Sequence, residues 1–158
     1  MPDFGSDINI TGSGKITFSG SAGTTRQLLS SRGPSAQPVY QDDTTTFVLP
    51  LSAKTVDAAV ATTVCAPFPM PWPGEVVSVR LNSETAVTTS AFIVDVKIGG
   101  TSIFSTRPQI GVGSTSMTIT PLISTPSFVL DQILTVDITQ ASGGARNACI
   151  SITVKRTG

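Results

Sequence analysis

From residue 77 onward the chain repeatedly alternates single apolar and single polar positions. Val77, Val79 and Leu81 are interleaved with Ser78 and Arg80, and Phe92, Val94, Val96 and Ile98 with Ile93, Asp95 and Lys97. The pattern returns at Leu134, Val136 and Ile138 and again at Ile150, Ile152 and Val154. A period of two puts successive side chains on opposite faces of a strand, one on a core and one on solvent or a partner, as in antiparallel sheets. Shorter strands are expected at 45–51, 58–64, 102–105 and 116–120. Gly99-Gly100 has the form of a two-residue hairpin turn, because both glycines tolerate positive φ, and Gly143-Gly144 reads as a second turn. No window carries a helical stripe, and eleven prolines and fourteen glycines punctuate the chain too often for one. About eight strands at a spacing of roughly 8–12 residues predict an all-β fold, an antiparallel β-sandwich or jelly roll. Its predicted core includes Phe92, Val94, Val96, Leu134, Val136, Ile138, Ile150 and Ile152.

The first 36 residues are written differently. Between residues 5 and 36 the text is mostly Gly, Ser and Thr, with Ile8, Ile10, Ile16, Phe18, Leu28 and Leu29 as the sizeable apolar groups. Residues 1–36 therefore read as an extended N-terminal arm and 37–158 as the sandwich domain. Gly12-Ser13-Gly14 would allow a small hairpin between Ile8/Ile10 and Ile16/Phe18, but a lone two-stranded hairpin cannot bury enough to stand by itself. Such an arm is ordered only when its own domain or a neighbouring chain holds it. The expectation is strand addition to a neighbour through 8–11 and 16–19, with Ile8, Ile10, Ile16 and Phe18 as anchors.

Residues 67–73 set prolines at every second position and Phe68, Met70 and Trp72 between them. A backbone stiffened this way loses little entropy on docking, and these three side chains are of types enriched at interface cores. One reading makes Phe68, Met70 and Trp72 partner-binding residues. The other tucks the segment over the end of the sandwich, with Trp72 closing the core.

Charge narrows the function classes. Only 13% of residues are charged, about half the usual share, so the polar surface is built from 23 Thr and 19 Ser. Ten Lys and Arg balance ten Asp and Glu; nothing concentrates the positive potential that nucleic-acid binding needs. No apolar run reaches the ~18 residues of a membrane helix, and the N-terminal text lacks a leader's basic and apolar regions. Without such a leader, the sequon at Asn9-Ile10-Thr11 carries no weight, and Cys65 and Cys149 read as reduced thiols of a bacterial-type cytosol.

Catalytic signals are weak. The chain has no histidine, which removes the commonest general base and zinc ligand and any Ser–His or Cys–His pair within it. Gly12-Ser13-Gly14-Lys15 lacks the Ser or Thr and the first glycine of a phosphate-binding loop. Asp42-Asp43 lacks the ligand spacing of a calcium loop. Asp95 and Asp137, mid-strand in near-identical text, could form a glycosidase pair. The simpler expectation is that both point away from the core and pair with Lys97, Arg80 or Arg107, or blunt a strand edge. No catalytic residue, metal or cofactor is expected.

The stretch from Val94 to Ile110, with its Gly99-Gly100 turn, resembles a strand–turn–strand motif of small virion proteins of tailed bacteriophages. Asp131 to Gln140 is similar to the companion strand, with Leu130-Asp131-Gln132-Ile133 replacing the usual acidic Gly-Asp. The resemblance covers roughly residues 75–155 and implies a jelly-roll or β-sandwich capsid decoration (cement) protein. It further implies a homo-oligomer, commonly a trimer, that is located in the virion and bound to the major capsid protein or other virion subunits. The same pattern occurs in head-fibre and tail-fibre proteins, so a receptor-binding module for host surface glycans is the alternative.

Overall fold

The structure, a computed structural model, describes residues 43–157 in full and, before them, the backbone of four short strands. It divides into two compact units, residues 1–43 (with residue 158) and 44–157, a boundary later than the change of composition near residue 36. In the first unit β1 (Ile8–Ile10) pairs antiparallel with β2 (Ile16–Phe18), and β3 (Gln27–Ser30) with β4 (Val39–Asp42). In the first of these pairs Ile8 stands opposite Phe18 and Ile10 opposite Ile16. The side chains of these four anchors lie outside the described residues.

The second unit is all-β, with no helix among the described residues. Its strands are β5 (Thr44–Pro50), β6 (Phe68–Pro69), β7 (Gly74–Asn82), β8 (Phe92–Ile98), β9 (Thr101–Ser102), β10 (Phe104–Thr106), β11 (Gln109–Ile110), β12 (Leu122–Ile123), β13 (Ser127–Phe128), β14 (Ile133–Gln140) and β15 (Cys149–Arg156). One sheet has the order β13-β7-β15-β5; the other has the order β11-β8-β14-β6 with β9 added on β8; β10 and β12 form a small satellite pair. The pairings are nested: β5 with β15, β6 with β14, β7 with β13 and β8 with β11, all antiparallel. A long folded hairpin is thereby rolled into two layers, joined laterally by the β7–β15 and β8–β14 ladders. This is jelly-roll topology.

The core lies between the layers. Val76, Val79, Leu81, Ile150, Ile152 and Val154 from the first sheet meet Phe92, Val94, Val96, Ile98, Leu134, Val136 and Ile138 from the second. All eight residues predicted for the core are buried. Gly99 and Gly100, at φ 58° and 82°, make the predicted tight turn between β8 and β9, with Ile98 opposite Thr101. Gly144, at φ 82°, belongs to a longer connection that carries the chain from one sheet to the other.

Three sequence expectations fail locally. The strand expected at 58–64 is an irregular run touching β14 by one bridge, Ala61 to Ile138. That at 116–120 is likewise two isolated bridges. Val77 is exposed and Val76 takes its place in the core, because the β7–β15 register slips between Thr153 and Val154. A bulge adds one residue to a strand and reverses the facing of those beyond it.

Candidate interaction surface

The proline-rich segment turns its large side chains inward. Met70 is 0% exposed. Its N–H donates to the Gln132 carbonyl at 3.0 Å and its own carbonyl accepts from Asp131 N–H at 2.9 Å, which fixes the backbone with the thioether in the core. A partner-binding role for Met70 is therefore corrected: the side chain has no surface to offer. Phe68 is half-buried with its ring centroid 4.9 Å from that of Phe47. Trp72 is half-buried beneath the Arg156 guanidinium, 5.5 Å above its ring. What this segment presents outward is Pro67, Pro69 and Pro71, with Ile133 directly opposite Pro69. Exposed Val129 and Leu130 precede Ile133 in the adjoining turn. The alternation carried that signal: with prolines outward, every large residue between them must face in.

Asp95 and Asp137 do face away from the core, but they are not open to solvent, at 1% and 6% exposure. Asp95 accepts from Ser102 Oγ at 2.6 Å and pairs with Arg107 Nε at 3.1 Å. Asp137 pairs with Lys97 Nζ at 2.6 Å and accepts from Thr63 N–H at 2.7 Å. Of the expected cationic partners, Lys97 and Arg107 are used and Arg80 is not. Burial alone would push the Asp137 carboxyl up; the Lys97 hydrogen bond, the Thr63 N–H and the Lys97 charge outweigh it and hold the group below its usual 3.8. Thr63 adopts φ +53° to deliver its N–H, a conformation disfavoured for a β-branched residue. Each carboxylate is thus occupied by donors and lies beneath the 61–64 run and the β9–β10 segment. That arrangement locks a covering layer onto the sheet and leaves no open cleft between the pair. Sequence reasoning found the partners but not the cover, which comes from residues distant in the chain.

The outer face of the β13-β7-β15-β5 sheet is of a different kind. Register places Val48, Ser151 and Arg80 in one row and Thr46, Thr153 and Ser78 in the next. Thr46 and Thr153 hydroxyls are 2.9 Å apart. With Val77 re-aimed by the bulge, this face shows Val48 at 61% and Val77 at 44% exposure among hydroxyls. Arg80 is the single charge in those two rows, and it has no ion-pair or hydrogen-bond partner among the described residues. Among the described residues no three Asp, Glu or Cys side chains gather as metal ligands, and no helix is long and apolar enough to cross a membrane. No family model, curated protein or solved structure matches the chain.

Proposed function

We propose that this chain is a structural protein of a viral particle, a jelly-roll subunit that binds and braces the outside of a capsid and catalyses no reaction. The observation that carries the reading is the outer face of the β7-β15-β5 ladder. Thr46, Ser78, Ser151 and Thr153 are cheap to strip of water compared with ionised groups, and Val48 and Val77 contribute apolar area. A sheet face whose two middle rows carry one charge, Arg80, with Lys155 and Glu75 paired at its end, suits docking against another folded protein. The resemblance of residues 94–110 and 131–140 to virion proteins supplies the particle. The partner is then the major capsid protein or another virion subunit. A homo-oligomer, a trimer in the proteins it resembles, presents several copies of the face and gains by avidity.

Electron microscopy of assembled particles containing this chain tests the proposal. Density on the outer shell supports it; density confined to a fibre favours the receptor-binding alternative; absence from particles removes both. In the same assay Val48→Glu with Val77→Glu should abolish attachment while leaving the melting temperature nearly unchanged, since both sites are on the surface.

A further inference from the structure

Ser78, Arg80 and Asn82 lie on one side of β7, because alternate residues of a strand share a face, and all three are exposed. Residues 115–118 run alongside. Ser83 N–H donates to the Thr115 carbonyl at 2.8 Å and Met117 N–H to the Leu81 carbonyl at 3.1 Å, which ties this segment to β7. Thr118 N–H then donates to the Gln109 carbonyl at 2.8 Å, so the segment crosses to β11 in the other sheet. Between β7 and the crossing segment is an open groove of about 420 Å³. Its accessible side chains are Ser78, Arg80 and Asn82 on one wall and Ser116, Met117 and Thr120 on the other.

This lining is rich in donors and contains no acid. Arg80 brings a planar fork of N–H groups, Asn82 an amide, and Ser78, Ser116 and Thr120 hydroxyls. The other described arginines are engaged: Arg107 with Asp95, Arg146 with Asp57, and Arg156 over the Trp72 ring. Arg80 has no such partner among the described residues. In the free chain its guanidinium is open to water. Val48 and Ser151 stand in the same row of the sheet, so a protein docked on that face takes the water away. A cation stripped of water without a counter-charge costs far more than the hydroxyls beside it. A carboxylate in the groove offsets that cost, because it meets the fork with parallel, charge-assisted hydrogen bonds.

Building on the docking role proposed for this face, we infer that the groove is the socket for an aspartate or glutamate side chain of the partner protein. Arg80 selects the charge, and the amide and hydroxyls around it orient the carboxylate. Half-buried Met117 offers an apolar contact to the methylene stem of the acid. The partner surface that covers Val48 therefore carries an acid placed opposite Arg80.

One arm of the test needs no particle. The full chain, ¹⁵N-labelled, is titrated with N-acetyl-aspartate methylamide, and with the asparagine counterpart as control. The Arg80 Nε–H signal and the Ser116 and Met117 amide signals should shift saturably with millimolar aspartate compound and stay put with the asparagine one. Arg107 and Arg146, already on carboxylates, should move much less. In the particle assay Arg80→Gln should weaken attachment about tenfold or more. Arg80→Lys should fall between Gln and the unaltered chain, because an ammonium lacks the fork. Neither should change the melting temperature appreciably, since the side chain is exposed. Equal shifts at all three arginines, or a response that never saturates, would overturn the inference. Full attachment of Arg80→Gln, where Val48→Glu with Val77→Glu detaches, would overturn it too and leave the docking role standing. If the unaltered chain is absent from particles, the docking role fails and the Arg80 titration alone decides the groove.

Discussion

Asp95 on β8 stands directly opposite Asp137 on β14, yet each carboxylate is held by a different cation and a different neutral donor. Two ionised acids side by side would repel. Here Arg107 with Ser102 and Lys97 with Thr63 divide the pair into separate ion pairs, and those donors anchor the layer that covers both.

The first prediction concerns acid stability. Asp137 has a folded pKa below its usual 3.8, so its contribution is complete above pH 3.8 and is lost as pH falls through the lower folded value. The Lys97 ammonium is raised above its usual 10.5 by the same contact, so its share is lost only as pH rises past that. Lys97→Met should move the acid loss of stability to higher pH. Urea unfolding between acid and neutral pH, with ¹³C titration of the Asp137 carboxyl, measures both. A native Asp137 titrating at or above 3.8 would contradict the geometry. Arg107→Met should cost roughly 2–3 kcal/mol at neutral pH, at or below the low end of the ~3–5 for fully buried pairs, because Arg107 is about half exposed.

Thr63→Gly should stabilise the domain. A residue with a Cβ pays about 1–2 kcal/mol for a left-handed backbone, and glycine recovers this less its extra unfolded-state entropy, roughly 0.5–1 kcal/mol. A net gain of about 0.5–1 kcal/mol in urea denaturation is expected. A loss instead would show that the exposed Thr63 side chain contributes packing.

The proline segment can be tested by position. Met70→Ala should destabilise by about 2–4 kcal/mol through the cavity it leaves, whereas Ile133→Asp, on the exposed side of the same ladder, should stay within about 0.5 kcal/mol. Equal effects would mean that Met70 is not the buried partner of this pair of sites.

The sequence made some of this legible and hid the rest for identifiable reasons. Strands with strict alternation, such as Phe92 to Ile98 and Ile150 to Val154, declared both their faces and their burial. Val76 and Val77 could not be ordered that way, because two adjacent valines fit either register and the bulge that chooses between them depends on β15. Asp95 and Asp137 showed their charge partners by proximity along and across strands. Their burial could not be read, since it depends on the 61–64 run folding over a strand some seventy positions later, and Thr63 leaves regular geometry to do so. Arg80 read as a candidate partner for those acids; the sheet places it on the opposite layer, without a partner among the described residues.

β15 is an interior member of its sheet, and its neighbours on either side are β5 and β7. Thr46 and Thr153, whose hydroxyls meet across that ladder, are 107 positions apart. During synthesis β5 and β7 are therefore complete long before the strand that joins them has emerged, whereas the inner pairings, β8 with β9 and β11 and β7 with β13, can close earlier. Such a high contact order predicts folding in milliseconds to seconds rather than microseconds, with the uncharged Thr-Phe-Val-Leu text of β5 unpaired meanwhile and open to self-association. A chain that terminated before Cys149 would lose both ladders that β15 makes at once, and the product would be an unfolded chain rather than a shortened jelly roll.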